Sequence, residues 1–295
     1  MDQQQTLGGV ARYSGIALHT GARAHLVLKP APANSGIRIV RADVPGRPAG
    51  PALATRVIEV QRATTIGVGK SPVHTVEHVL AALYALGVDN AEVEMDGSEP
   101  PVADGSAKPF VDLINAVGLA PQEAARQYCV ITEPIWVAQG DSRLVLLPYD
   151  GGLRLACTVS YPTTPLGTQY LSLDLTPESF TRELSPARTF CEEYDILDNL
   201  MKAGLVRGAS LDNGSVVKDG AIVSKDGLRY PNEFVRHKLL DIVGDLSLIG
   251  RRLRGQVIAI KPGHQLNVTL AQKLMAAMGY DQEGKDHAGQ DHRQQ

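Results

Sequence analysis

A pattern written twice constrains this chain more than any other feature. Val76-Glu77-His78-Val79-Leu80 opens an apolar segment that runs to Leu86, and Val235-Arg236-His237-Lys238-Leu239 opens another that runs to Ile249. Apolar residues recur at helical spacing in both: Val76, Leu80, Leu83 and Leu86, then Leu239, Ile242, Leu246 and Ile249. Each segment meets a glycine, Gly87 or Gly250, and a strand-like run follows, 91–95 in one half and 256–260 in the other. A turn comes next, Asp104-Gly105-Ser106 or Pro262-Gly263-His264, and a second helical stretch closes each half, 109–117 and 268–278. Helix–strand–helix is a common succession that chance also produces. Read as a repeat, it implies two similar subdomains, each a sheet layered with helices, and an α+β class.

The alternating runs His25-Leu26-Val27-Leu28 and Leu144-Val145-Leu146-Leu147 supply sheet ahead of each motif helix. The polar stretch Pro121–Gln127 is expected to separate a first subdomain, residues 1–122, from a second, residues 128–280. From residue 281 to 295 the chain is polar without apolar anchors, and a disordered tail is expected there; His287 and His292 in it are expected to bind metal only adventitiously.

Composition narrows the function classes. With 29 basic against 32 acidic residues and a net charge of −3, the chain lacks the basic excess of a protein built to coat nucleic acid. It has no apolar run long enough to span a bilayer, and the polar start Met1-Asp2-Gln3-Gln4-Gln5 does not read as a signal peptide. Three widely spaced cysteines, Cys129, Cys157 and Cys191, argue against a disulfide framework or a thiolate zinc finger and fit a reducing cytoplasm.

His237 and Asp241 stand at i and i+4 on the second motif helix, one turn apart on one face, and imidazole nitrogen and carboxylate oxygen are both zinc ligands. Asp245 lies one turn further on that face; stacking two carboxylates under a histidine on an apolar helix is costly without cations or protons. His78 occupies in the first half the place of His237 in the second. If the halves pack about a pseudo-twofold axis, His78, His237 and Asp241 give three ligands and leave a fourth position for water. Glu77 then stands beside His78 as a candidate base. Taken singly, His78 also reads as a packed core histidine and Glu77 as a solvated charge at a helix start.

His264, in a turn after a strand, is a candidate to stabilise an oxyanion or protonate a departing amine, with Lys261 nearby as a phosphate contact; a spare histidine on a surface turn is the alternative. In Ser185-Pro186-Ala187-Arg188-Thr189-Phe190, Thr189 offers a hydroxyl to a developing oxyanion and Phe190 a ring to stack on a sugar. Gly67-Val68-Gly69-Lys70-Ser71 is not a phosphate loop, because the first glycine is missing and Pro72 follows at once. His-Glu-x-x-His, Gly-x-Gly-x-x-Gly and Gly-x-Ser-x-Gly are all absent.

Read together, these residues resemble the UDP-3-O-acyl-N-acetylglucosamine deacetylases, the zinc amidases of lipid A synthesis. The likeness runs from about Thr6 to Met278. It rests on Gly15-Ile16-Ala17-Leu18-His19-Thr20-Gly21, His74-Thr75-Val76-Glu77-His78, Asp89-Asn90, Asp104-Gly105-Ser106, Ala187-Arg188-Thr189-Phe190 and Asp226-Gly227-Leu228-Arg229. Phe234-Val235-Arg236-His237-Lys238-Leu239-Leu240-Asp241, Gly244-Asp245-Leu246, Gly263-His264 and Leu266-Asn267 complete it. The resemblance implies two α+β halves with helices at their interface and a metal between them. It implies zinc, or ferrous iron, on His78, His237 and Asp241, Glu77 as general base, and His264 as its protonated partner, oriented or charged by Asp245. Thr189 would steady the oxyanion and Lys238 would contact substrate or developing charge. Phe190 and Leu18 would line the substrate site, and Lys261 and His19 would lie toward the nucleotide diphosphate.

The implied enzyme is a cytoplasmic, monomeric hydrolase that takes a UDP-linked acylated glucosamine and releases acetate. A related metal amidase acting on another acylated sugar, and a non-catalytic UDP-sugar-binding module, remain as other readings. The sequence departs from the family's pattern at Cys191-Glu192-Glu193-Tyr194, where a second aromatic residue two positions after Phe190 is usual and the spacing to Gly204-Leu205 is one residue longer. The acyl passage is expected against Ile196, Leu200, Leu205 and Val206, with the charge of Arg207 close by.

Overall fold

The computed structural model describes residues 2–279. The tail expected over 281–295, His287 and His292 included, lies outside the described residues. The protein is α+β, and the repeat is visible in its strand order. In the first half, the sheet runs Ala11–Ile16, Arg23–Pro30, Ala91–Met95, Ile37–Arg41, Ala49–Pro51. In the second it runs Ile135–Gln139, Ser142–Leu147, Arg252–Ile260, Leu153–Tyr161, Gly167–Leu175. Each sheet takes its central strand from after the motif helix. That strand pairs antiparallel with the second strand of its half and parallel with the third. A parallel pair needs a long crossover, and here the crossover carries the motif helix.

Helix α1 spans Glu77–Ala85 and α2 Lys108–Val117 in the first half. A single turn α3, Pro177–Ser179, precedes α4, Tyr194–Lys202; α5 spans Glu233–Ser247 and α6 His264–Ala277. The spacing that marked α5 from Val235 is right in phase but starts late, since Glu233 opens the helix. The second helix of the second half also starts earlier than residue 268, and its first residue is His264. His264 is therefore the opening residue of a helix, capped by Gly263, and not part of a free turn.

Three further segments differ from expectation or extend it. The polar stretch after α2 is a strand, Leu119–Ala125, paired antiparallel with Gln3–Leu7, so a polar surface sequence is used to close the first half. Gly67–Ser71 is the turn of a hairpin between Thr65–Val68 and Ser71–Val73, with Gly69 at φ +61°. This hairpin belongs to a small sheet inserted before α1. A matching insert, strands Phe190–Cys191, Ser215–Lys218 and Ala221–Val223 with α4, precedes α5.

α1 and α5 are buried along most of their length, as expected of helices sandwiched between layers, although α5 carries His237, Asp241 and Asp245 among its buried residues. They pack on each other, while α2 lies against the first sheet and α6 against the second. Leu80, Leu83, Leu239, Leu240, Ile242 and Val243 belong to one continuous core that joins the halves. The two central helices touch backbone to backbone at Gly244, where a Cβ would lie 2.2 Å from the carbonyl oxygen of Glu77. Gly244→Ala is expected to push the helices apart and cost about 1–3 kcal/mol in urea unfolding, the usual range for overpacking. Gly152→Ala, where an added Cβ meets nothing within 4 Å, is the control and is expected to change stability little.

Candidate metal centre

The helix crossing brings His78 of α1 over His237 and Asp241 of α5. One ligand atom from each lies within 4.8 Å of the others, and all three residues are buried. The imidazoles meet edge to face, 5.1 Å between centroids at 89°. Asp241 Oδ1 lies 3.5 Å from His237 Nε2 and 3.8 Å from His78 Nε2. Two ligands about 2 Å from one tetrahedral ion stand about 3.3 Å apart, so these separations are those of ligands and not of hydrogen-bond partners.

Three observations fit the cluster to a divalent cation. Asp241 Oδ1 is buried and has no hydrogen-bond partner, whereas Oδ2 accepts from Lys238 Nζ at 2.9 Å. An orphaned buried carboxylate oxygen facing two imidazoles is costly unless a cation occupies the gap. His237 Nδ1 donates to the Ala187 carbonyl at 3.1 Å, which turns Nε2 toward the gap, the usual outer support of a metal-ligating histidine. Burial, with repulsion from His237 added, pushes His78 down to about 3; burial also lowers His237, against the pull of Asp241, so both are neutral imidazoles at pH 7. Burial opposes ionisation of Asp241, but His237 and Lys238 outweigh it and hold the carboxyl well below its ordinary range.

Beside this cluster stands a second pair of titrating groups. Glu77 is buried, and burial raises it to about 7 against the opposing pull of His264. Burial also disfavours protonation of His264, but the charge and hydrogen bond of Asp245 reverse this and carry it to about 9. His264 Nδ1 donates to Asp245 Oδ2 at 2.9 Å, and its Nε2 lies 4.0 Å from Glu77 Oε1. A cationic side chain opening a helix is unfavourable against the helix dipole, and Asp245 compensates. Neutral pH thus finds a base near its midpoint facing a protonated acid.

The segment carrying Thr189 and Phe190 is fastened to the start of α5 by a buried ion pair. Arg188 Nε donates to Glu233 Oε1 at 2.9 Å, and the Arg188 and Arg229 backbone N–H groups also donate to that carboxylate. Phe190 stacks edge-on with Phe234, Tyr161 and His237, with Lys238 Nζ 5.5 Å from its centroid. Thr189, Phe190 and Leu18 share an apolar cavity of about 370 Å³ with Tyr194, Leu197, Met201 and Val206. Of the residues expected to wall an acyl passage, only Val206 lines this cavity. α4 turns Tyr194, Leu197 and Met201 inward, so the face carrying Ile196 and Leu200 is not the lining one, and Leu205 stands on the exposed side. Arg207 does not line the cavity either; its guanidinium lies over Gly204.

His19 is held through its backbone: its N–H and that of Thr20 donate to Glu99, a buried carboxylate that also accepts from the Thr75 hydroxyl. Both His19 ring nitrogens are shielded and lack a hydrogen-bond partner. Lys261 lies apart from the metal cluster in its contacts, paired at 3.5 Å with the exposed Asp141. Sequence reasoning missed Glu99, Glu233 and Thr64. Glu233 had a readable signal, an acid in the first turn of a helix; Glu99 and Thr64 had none.

A profile described as LpxC, UDP-3-O-acyl N-acetylglycosamine deacetylase, matches residues 4–276. Curated relatives carry the name UDP-3-O-acyl-N-acetylglucosamine deacetylase. One from Myxococcus xanthus (strain DK1622) is 44% identical over 273 residues, covering 92% of this chain and 86% of its own. Another from Anaeromyxobacter sp. (strain Fw109-5) is 42% identical over 276 residues, 94% of this chain and 90% of its own. One from Bdellovibrio bacteriovorus is 40% identical over 271 residues, 92% and 89%. The purified chain is expected to hold about one divalent cation after dialysis, measured by elemental analysis, and His237→Ala or Asp241→Ala to hold far less. Full retention by either variant would disprove the cluster as the site.

Proposed function

The chain belongs to the UDP-3-O-acyl N-acetylglycosamine deacetylase (LpxC) family, a metal-dependent family, and from that premise we propose how its own residues work. It is a deacetylase of UDP-3-O-acyl-N-acetylglucosamine in lipid A biosynthesis. His78, His237 and Asp241 would hold zinc, which would supply Lewis acidity there. Ferrous iron suits the same nitrogen and oxygen donors. Glu77 accepts the proton of the water as its oxygen adds to the acetamide carbonyl. Thr189 donates to the oxygen that becomes negative, and Lys238 contributes its charge there. When the carbon–nitrogen bond breaks, His264 Nε2 gives the departing nitrogen its proton, and acetate and the UDP-3-O-acyl-glucosamine are released. Asp245 keeps His264 protonated for that step.

Phe190 and Leu18 line the substrate site, and the acyl chain occupies the cavity beside them. His19, with its free ring nitrogens, and Lys261 lie toward the diphosphate. We take residues 1–122 and 128–280 as the two lobes, a reading supported by the repeated strand order, with the strand Leu119–Ala125 carrying the first lobe on to Ala125. We place the protein in the cytoplasm, since its three cysteines are free. No helix among the described residues is long and apolar enough to cross a membrane. We read it as a monomer because the site is complete within one chain.

The observation that carries this reading is the orphaned Asp241 oxygen between two neutral imidazoles, with Glu77 next to His78 in the chain and His264 4.0 Å from Glu77. Acetate release from acylated UDP-N-acetylglucosamine by the zinc-loaded protein tests it, with His78→Ala expected to abolish turnover. Full activity in stringently metal-free protein would refute it. The pH profile of kcat/KM is expected to be a bell. Glu77 must be ionised, so the rate falls below about 7, a limb that a bound cation moves lower; His264 must be protonated, so it falls above about 9. Leu197→Trp, which fills part of the cavity, is expected to shift preference to shorter acyl chains and leave metal content unchanged. An unaltered chain-length profile would place the acyl group elsewhere.

A further inference from the structure

Thr64 precedes the strand Thr65–Val68 in the first insert and is fully buried. Its backbone N–H donates to Glu77 Oε2 at 3.1 Å. Its hydroxyl donates to Asp245 Oδ1 at 2.6 Å, and the same oxygen lies 3.4 Å from His264 Nδ1. We propose that Thr64 is the positioning residue that sets the general base and the general acid of this reaction against each other across the two halves. The proposal rests on the roles given above to Glu77 and His264.

The geometry divides the work between two groups of one residue. A carboxylate held at one oxygen can swing about its terminal torsion, and the imidazole bonded to it swings too. Asp245 cannot swing, because Thr64 holds Oδ1 while Oδ2 accepts from both His264 Nδ1 and Asn267 Nδ2, each at 2.9 Å. With that plane fixed, the His264 ring presents Nε2 toward Glu77. The Thr64 peptide meanwhile occupies Glu77 Oε2 and leaves Oε1 as the oxygen that faces His264. The covalent frame of one residue therefore fixes the distance between the two anchors, one on α1 and one on α5. A threonine serving only to satisfy itself donates to a backbone carbonyl, as the Thr6 hydroxyl does to Asn90. The Thr64 hydroxyl instead meets Asp245, the carboxylate that is hydrogen-bonded to His264. Among its contacts there is no metal ligand, so it acts through Asp245 and Glu77.

Thr64→Val keeps the shape and the N–H and removes only the hydroxyl. In the zinc-loaded full chain, measured by acetate release from acylated UDP-N-acetylglucosamine, it is expected to lower kcat by about 10- to 100-fold, the scale of misplaced catalytic groups. KM and zinc stoichiometry should hold within about twofold, and Thr64→Ser should recover most of the rate. In an Asp245→Ala background, Thr64→Val should cost little more, since the partner it acts through is gone. A Thr64→Val enzyme with wild-type kcat overturns the proposal. So does a loss of the same size in the Asp245→Ala background, or one fully explained by lost zinc. Thr64→Ala, read by the same split of kcat from KM, replaces Thr64→Val should the latter fail to fold. Wild-type protein that releases no acetate would sink the reading of the site itself, an outcome distinct from all of these.

Discussion

Everything at this site depends on how closely two helices approach. α5 reads His237, Asp241 and Asp245 at successive i+4 steps, so one face carries a histidine and two carboxylates. α1 opens with Glu77 and His78. These residues lie far apart in the chain and acquire a chemistry only where the helices cross, at the contact of Gly244 with the Glu77 backbone. The apolar flanks of both helices supply the stabilisation, through a core shared by the two sheets. The polar cluster is thus an enclave whose geometry is set by the hydrophobic packing on either side of it. A side chain at position 244 would enter the same gap as the carbonyl of Glu77.

Burying three carboxylates in that enclave calls for a separate remedy at each. Asp245 has both oxygens satisfied and a histidine cation beside it. Asp241 has one oxygen on Lys238 and the other bare between two imidazoles. Glu77 receives a backbone N–H and has no close cationic partner better than His264 at 4.0 Å. The outcomes differ accordingly. Asp241 stays ionised at any working pH and suits a ligand, while Glu77 is pushed to about 7 and suits a base that must be emptied and refilled in each turnover. Identical functional groups are sorted into roles by their neighbours alone.

The sequence carried the parts of this arrangement that have a period. The helical spacing of Leu80, Leu83, Leu239, Ile242 and Leu246 located both central helices, and the duplicated histidine suggested that they would meet. The i, i+4 step from His237 to Asp241 put two candidate ligands on one face. Lone contacts between distant segments left no such trace. Thr64 is one polar residue among several in Arg62-Ala63-Thr64-Thr65, and nothing local reveals that its hydroxyl ends on Asp245. Glu99 is buried to hold the backbone of His19 and Thr20, a task set wholly by tertiary structure. The strand over Leu119–Ala125 was read as a connection because neither of its faces carries a run of large apolar residues, and only its pairing with Gln3–Leu7 makes it sheet. An acyl passage was expected against Ile196, Leu200, Leu205 and Val206, whereas the cavity beside Phe190 is lined by Leu197, Met201 and Val206, because the segment is a helix, α4, that the sequence reading does not place.

That last error points to how the molecule is divided mechanically. The three clustered ligand residues and Glu77 sit on α1 and α5, most of whose residues are buried, and His264 opens α6, which packs on α5. The cavity wall is built on α4, which has no fully buried residue, and on a strand of two residues, Phe190–Cys191. Elements with few buried contacts open and re-pack at low cost, whereas packed helices do not. The two regions share one joint. Phe190 lines the cavity on one side and on the other packs against His237 and Phe234 of α5, with Arg188 and Glu233 bracing the segment behind it. A change in α4 can therefore reshape what the cavity holds while the ligands stay in place. A change at Phe190 or at the Arg188–Glu233 pair reaches the metal-side histidine directly. On this division the shape of the cavity is free to vary along the sequence of α4, and the geometry of the His78, His237 and Asp241 cluster is not.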